Sequence, residues 1–197
     1  GGGMKPRPKL EFFFDFASPF AYLAATQVGA LSRRTGAELV LRPLLLGGLF
    51  RDIGQVDVPI AGMSETKRQY TLVDLHRWAR WWGVPLAWPA AFPLRTVLPL
   101  RVFLLDPTPE RMGRFFASAW GRGEDIGDPA VLASLGVSAV ELAAAATKRD
   151  ALVDATNYAR DCGVFGVPSF RIDGLTLIWG QDRLDVVERA CRGERIE

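Results

Sequence analysis

The sequence predicts an α/β fold in which a helical block separates two short strand-containing units. Three observations support this prediction. An apolar run at 10–16 leads directly into Ser18-Pro19 and an amphipathic helix pattern. A second apolar run follows at 38–46, and two further strand patterns flank Asp173-Gly174. The predicted order is therefore β-α-β, a helical block, and then β-β-α.

The first unit opens with LEFFFDF at 10–16, a pattern typical of a buried strand with both faces covered. Ser18 is a favoured N-cap residue, and Pro19 suits the first helical position. The helix pattern of 20–34 ends before Gly36. The strand pattern ELVLRPLLL at 38–46 follows after one helix, so we expect two parallel strands.

The middle of the chain carries helix patterns almost throughout. They cover 64–82, 94–105, 109–120, 128–135, 138–146 and 148–162. We expect Pro99 to kink the second of them, because an interior proline removes a helical hydrogen bond.

The last unit contains a strong hairpin signal, Asp173-Gly174, between strand patterns at 167–172 and 175–179. Asp182 is expected to cap a final helix at 183–191. The chain thus divides into a domain of residues 9–46 and 163–197 and a helical insertion domain of residues 47–162. Gly1-Gly2-Gly3 before Met4 is typical of a cloning remnant, so residues 1–4 are left out of the fold.

Composition argues against several functional classes. The net charge is +2 with acids and bases mixed, so the sequence lacks the basic stripe that nucleic acid requires. Apolar segments are too short for a membrane span, and no signal-peptide core precedes the first strand, so we expect a cytoplasmic protein. The single histidine, His76, rules out a multi-histidine metal centre, and no metal is expected.

Two cysteines, Cys162 and Cys191, are too few and too far apart for a disulfide framework or a zinc site. We favour inert thiols in a reducing compartment. A single bridge between the two is the alternative.

A β-α-β unit followed by a β-β-α unit is the layout of thioredoxin-like folds. In such folds a cis-proline at the start of the third strand faces the head of the first helix, and Val167-Pro168 stands at that place. Where a redox thioredoxin has Cys-x-x-Cys, this chain has the segment SPFA at 18–21, which excludes disulfide chemistry by that route. The helix N-terminus still favours an anion, and the Ser18 hydroxyl can donate to a thiolate. The alternative role for Ser18 is a plain N-cap.

Several segments resemble one family. FDFASPFAYLA (14–24) resembles the opening motif of the 2-hydroxychromene-2-carboxylate isomerases and the related kappa-class glutathione transferases. LRPLLLGGLFRDIGQ (41–55) is more similar to the kappa class. VDLHRWARWWGVPL (73–86), SAWGRGEDI (118–126) and the ending GVFGVP with WGQDRL (163–168, 179–184) are shared with the isomerases. The similarity covers essentially the whole chain after the remnant.

The resemblance implies that glutathione is the cofactor and assigns its site residue by residue. The binding residues are Ser18, Phe20, Gln55, Val167, Pro168, Gln181 and Asp182. The hydroxyl of Ser18, the catalytic residue, faces the glutathione sulfur, and the Val167 backbone pairs with the cysteinyl part. Gln181 and Asp182 hold the γ-glutamyl group, with the Asp182 carboxylate suited to its ammonium. Gln55 stands where the family usually has asparagine.

The departures from the family concern the substrate pocket. Ala61-Gly62 replaces an Asn-Arg pair of the isomerases, and Phe92 stands where a tyrosine is expected. Arg95 matches an isomerase arginine near the pocket, although a surface cation is an equal alternative. We interpret His76 as structural or exposed. Trp78, Trp81 and Trp82 are interpreted as packing residues.

The function implied by the resemblance is a glutathione-dependent isomerase of aromatic carboxylates in aromatic catabolism, acting as a homodimer. The mechanism would be reversible thiolate addition, bond rotation and elimination. The first alternative is a kappa-like transferase that joins glutathione to an electrophile. The second is a non-catalytic module that binds glutathione or a peptide.

Overall fold

The computed structural model describes residues 6–54 and 60–197. It has the predicted order of a β-α-β unit, a run of helices and a β-β-α unit. The elements are β1 (Lys9–Phe14), α1 (Pro19–Thr35), β2 (Glu38–Pro43), α2 (Leu46–Ile53), α3 (Glu65–Trp82), α4 (Val97–Leu105), α5 (Pro109–Phe116), α6 (Pro129–Ser134), α7 (Ala139–Ala144), α8 (Arg149–Asp161), β3 (Ser169–Ile172), β4 (Leu177–Trp179) and α9 (Leu184–Cys191).

The four strands form one mixed sheet in the order β2-β1-β3-β4. β1 pairs parallel to β2, as the short crossover predicts, and β3 pairs antiparallel to β4, as the hairpin signal predicts. β1 also pairs antiparallel to β3. The hairpin turns at Asp173 and Gly174, whose φ angles of 51° and 71° suit a turn that needs two positive values. The predicted thioredoxin-like fold class is confirmed.

Aromatic side chains fill the core around the central strand β1. Phe12 and Phe14 lie on one face, where the Phe14 ring packs edge-on against Phe103 of α4 at 5.4 Å between centroids. Phe13 lies on the other face and stacks on Tyr158 of α8. Buried apolar residues of the helical block and of the strand-containing units form one continuous cluster. The division into two domains therefore stays a prediction.

A buried ionic cluster on the α8 side of the sheet was not predicted. The side chain of Glu11 is 3% exposed and pairs with Arg42 at 2.8 Å and Arg171 at 3.0 Å. The Tyr158 hydroxyl also donates to Glu11, and Arg171 reaches the sulfur of Cys162 at 3.1 Å. Burial opposes the charge of Glu11, but the three donors outweigh it and lower the pKa of this carboxyl.

Three local expectations were wrong. The second strand ends at Pro43, and the next residues turn into α2 because the buried Asp15 carboxylate accepts the N–H of Leu46 at 2.9 Å. Pro99 does not kink a helix, because α4 begins at Val97 and places it in the first turn, where no hydrogen bond is lost. Asp182 does not cap α9, because Arg183 holds the N-cap position and Asp182 lies inside the preceding 3₁₀ turn, Gln181–Arg183.

Among the helices of residues 6–54 and 60–197, none is both long enough and apolar enough to cross a bilayer.

Candidate active site

Ser18 lies in the turn between β1 and α1, at the head of the helix. Its backbone is extended, with φ −105° and ψ 120°, and its Oγ accepts the N–H of Ala21 at 3.1 Å. The residue is only 7% exposed. The hydroxyl hydrogen donates to no acceptor among the described residues. Ser18 is thus an N-cap whose hydrogen stays available to an anion at the positive end of the helix.

Asp15 holds this turn in place through its hydrogen bonds, a role that the sequence analysis did not predict. Its carboxylate accepts the N–H groups of Ala17 at 3.1 Å and Leu46 at 2.9 Å, and its backbone oxygen accepts the N–H of Ser18 at 3.2 Å. The side chain of Thr96 also favours the charged form of the carboxyl and so lowers its pKa. Burial is the largest influence and raises the pKa of Asp15 to about 6, although these donors partly oppose it. The signal was that Asp15, like Glu11, is a charged residue within an apolar run.

The helical block contacts the same turn through Trp120. The indole Nε1–H of Trp120 donates to the backbone oxygen of Phe16 at 2.7 Å, and both side chains are fully buried. Phe92 packs against Trp120 at 6.3 Å between centroids and against Trp88 at 4.9 Å. The candidate substrate residue Phe92 thus contacts Trp120, which in turn contacts Phe16 in the turn that holds Ser18.

Arg95 is exposed, and no side-chain hydrogen bond or ion pair holds it within the part of the chain that the structure describes. Its neighbour Thr96 is buried, and its side chain influences the pKa of Asp15, so this segment lies near the β1–α1 turn. Roles for Phe92 and Arg95 in substrate binding stay predictions. His76 is exposed on α3, where its Nδ1 lies 2.8 Å from the backbone oxygen of Leu72.

The peptide bond between Val167 and Pro168 is cis. In the antiparallel register, Phe13 pairs with Ser169. One step further along this register brings Pro168 beside Phe14, at the end of β1 from which the Ser18 turn begins. The predicted juxtaposition of the proline with the first helix thus has support from strand pairing. Phe20, in the first turn of α1, is half-buried against the core.

Gln181 and Asp182 are separated from β4 by Gly180 alone and pack beside α1. The backbone N–H of Gly180 donates to the Pro168 oxygen at 3.0 Å, which ties this turn to the cis-proline. Gln181 is 3% exposed, whereas Asp182 is exposed. Both line a groove of about 220 Å³ together with Trp82. Gln55, the remaining predicted contact, lies outside the described residues.

Trp82 is the second residue whose role the sequence analysis missed. It ends α3, and its indole Nε1–H donates to the Gln181 Oε1 at 3.2 Å. Its ring stacks on Trp78 at 5.7 Å, which agrees with the interpretation as a packing residue. The hydrogen bond joins residues 99 positions apart, so no local pattern could reveal it.

Gly180 has backbone angles, φ 113° and ψ 137°, that side-chain-bearing residues rarely adopt. A Cβ there would also lie 2.5 Å from Asp182 Oδ1. We expect Gly180→Ala to lower the free energy of unfolding by about 1–3 kcal/mol, measured by urea unfolding. Gly47→Ala in α2 is the matched control, because its Cβ would meet nothing within 4 Å and no positive φ is involved. Equal effects of the two substitutions would contradict the prediction.

Comparison with known proteins agrees with this geometry. The family model of the DSBA-like thioredoxin domain matches residues 9–192. A 2-hydroxychromene-2-carboxylate isomerase from Pseudomonas putida is 32% identical over 93% of this chain and 96% of its own length. Glutathione S-transferase kappa 1 from Rattus norvegicus is 29% identical, covering 93% of this chain and 91% of its own. A solved 2-hydroxychromene-2-carboxylate isomerase superposes with a TM-score of 0.79 at 27% identity, over 92% of this chain and 93% of that one.

Proposed function

Because this chain belongs to the DSBA-like thioredoxin domain family and has Ser18 at the head of α1, we propose that it is a glutathione-dependent isomerase of the 2-hydroxychromene-2-carboxylate type. The observation that carries the proposal is the hydroxyl hydrogen of Ser18, which donates to no described residue and lies at a helix N-terminus, a place suited to a thiolate. Bound glutathione would supply a thiolate that adds reversibly to a conjugated carbon, so that a double bond can rotate before the thiolate leaves.

The residues of this chain fit that cofactor at two ends. Ser18 donates to the sulfur and thereby favours the thiolate over the thiol. At the other end, the amide nitrogen of Gln181 has no partner among the described residues and lies on a side chain that lines the groove, and the Asp182 carboxylate is exposed to receive an ammonium. Between them, we expect the Val167 backbone, next to the cis-proline, to pair with the cysteinyl unit.

A kappa-like transferase remains the alternative, supported by the similar identity to the rat enzyme. We further propose a role in aromatic catabolism and a cytoplasmic homodimer. Two free cysteines, Cys162 and Cys191, are compatible with a reducing compartment.

The test has two stages. Isothermal calorimetry with glutathione and S-methylglutathione first measures binding. Conjugated ring-opened aromatic carboxylates are then added with catalytic amounts of glutathione, and both the product and the free thiol are measured. An isomerase returns all the thiol, whereas a transferase consumes it. If neither glutathione nor S-methylglutathione binds, the whole proposal is refuted, and binding without turnover would favour the non-catalytic module.

We expect no dithiol oxidoreductase activity in an insulin-reduction assay. Ser18 and Ala21 occupy the two positions at which a redox thioredoxin has its cysteines, and neither residue can form a disulfide. The N–H of Ala21 instead donates to the Oγ of Ser18. Burial raises the pKa of the Cys191 thiol to about 11, which leaves it a poor nucleophile. Cys162→Ser and Cys191→Ser should therefore leave glutathione turnover nearly intact, and a thioredoxin-like rate with insulin would contradict this.

A further inference from the structure

The amide of Gln181 has two chemically different ends, and the structure assigns them. An indole N–H is only a donor, so the atom 3.2 Å from Trp82 Nε1 is the acceptor Oε1. The donor Nε2 is then the other end. It donates to no atom of residues 6–54 and 60–197, while Gln181 itself is 3% exposed and lines the groove.

The charge around the groove makes this orientation matter. Asp182 and Asp185 both line it, so its field favours an ammonium and opposes a carboxylate. A carboxylate entering there needs a fixed donor. If the Gln181 amide were reversed, Oε1 would face that carboxylate and repel it.

Trp82 is held rigidly enough to set the amide. Its ring stacks on Trp78 at 5.7 Å with an interplanar angle of 25°, and the helix ends immediately afterwards at Gly83. Both the indole and the amide are thus in place before a ligand arrives.

We propose that Trp82 is a positioning residue for ligand recognition: its indole N–H holds the Gln181 amide with Nε2 toward the groove, where it donates to the α-carboxylate of a γ-glutamyl group while Asp182 accepts its ammonium. The proposal rests on the proposed function and deepens it, since it names what selects glutathione over other thiols. It assigns a binding role to a tryptophan that otherwise serves only to pack α3.

The test compares two thiol peptides by calorimetry. One is glutathione. The other is 4-aminobutyryl-cysteinyl-glycine, which keeps the amine and lacks the α-carboxylate. We expect Trp82→Phe to weaken glutathione binding about threefold to tenfold and to leave binding of the second peptide unchanged. In turnover assays the KM for glutathione should rise while kcat at saturation stays constant. A purely structural role would weaken both peptides alike, and that result would overturn the proposal.

The control is Tyr70→Phe, which removes a polar hydrogen from an aromatic residue of the same helix that is 60% exposed. A double-mutant cycle adds a second check: in a Gln181→Ala background, Trp82→Phe should have no further effect on glutathione binding. Additive losses would show that Trp82 does not act through Gln181.

Gln181→Glu keeps the test independent of the stability of Trp82→Phe. The indole still donates to one carboxylate oxygen, which turns the other oxygen toward the groove. We therefore expect a greater loss of glutathione affinity than in Gln181→Ala; an equal loss would mean that Trp82 does not orient the side chain.

If wild-type protein binds glutathione and Trp82→Phe binds it equally well, the positioning role is wrong while the proposed function stands. If wild-type protein binds no glutathione, both are wrong.

Discussion

Ser18→Ala should lower glutathione-dependent turnover by about tenfold to a hundredfold. A hydrogen bond from a hydroxyl to a thiolate involves a charge, so its loss costs about 1.5–3 kcal/mol. The pKa of bound glutathione should rise, yet remain below that of free glutathione, because the N–H groups at the head of α1 are still present. Binding should change less than turnover, since the proposed contacts at Gln181 and Asp182 are untouched.

The measurement is the ultraviolet absorbance of the thiolate against pH, recorded for wild-type protein and the variant with saturating glutathione. Ser64→Ala is a matched control, because Ser64 caps α3 through the same kind of bond, from Lys67 N to its Oγ at 3.2 Å. Each substitution removes an N-cap, at a cost of about 1 kcal/mol in stability. Only Ser18→Ala should change the titration. If the titration and turnover of Ser18→Ala match those of wild-type protein, Ser18 is merely a cap.

Ser18→Cys gives a second view of the same position. A thiol there could form a mixed disulfide with glutathione, so isomerase turnover should be replaced by redox chemistry with an added disulfide. Mass spectrometry of the protein incubated with oxidised glutathione would detect the adduct. Its absence would contradict the assignment of the sulfur to this end of α1.

The buried Asp15 should make stability depend on pH with an unusual sign. Its pKa is raised from 3.8 in the unfolded chain to about 6 in the folded protein. Between these pH values the folded state holds the proton more tightly than the unfolded state. The contribution of Asp15 to the free energy of unfolding is thus greatest below about pH 4 and falls by about 3 kcal/mol as the pH rises through about 6.

Other carboxyls act in the opposite direction. The pKa of Glu11 is lowered, so its favourable contribution is lost as the pH falls. The Asp15 effect therefore appears in the difference between wild-type protein and Asp15→Asn, measured by urea unfolding across this pH range. Asp15→Asn should be destabilising near pH 4, because an amide nitrogen would face the N–H of Ala17 or Leu46. Its disadvantage should shrink as the pH rises. Asp128→Asn, at an exposed cap of α6, is the surface control, and a difference that does not vary with pH would contradict the assignment.

Much of the fold followed from local rules. Ser18 and Pro19 mark the start of α1, and Gly36 marks its end with a φ of 74°. The Asp173-Gly174 turn was recognisable because two consecutive positive φ angles suit few residue pairs. The expected glutathione contacts came instead from resemblance to a family. The structure supports them only where it brings the residues together, as in the hydrogen bond between Gly180 and Pro168.

The rest depended on contacts between distant parts of the chain. The apolar pattern predicted that the second strand continues to residue 46, whereas the strand ends at Pro43 and α2 begins at Leu46. The local pattern could not show this, because the N–H of Leu46 is bound by the carboxylate of Asp15, 31 positions away. The partners of Trp82 and Trp120 lie 99 and 104 positions away. Hydrophobic period and capping residues are local properties, so the sequence determined the elements and the helix end that holds Ser18. The packing of the whole chain decides which buried donor meets which buried acceptor. These long-range hydrogen bonds hold Asp15 and Phe16 beneath Ser18 and orient the amide of Gln181.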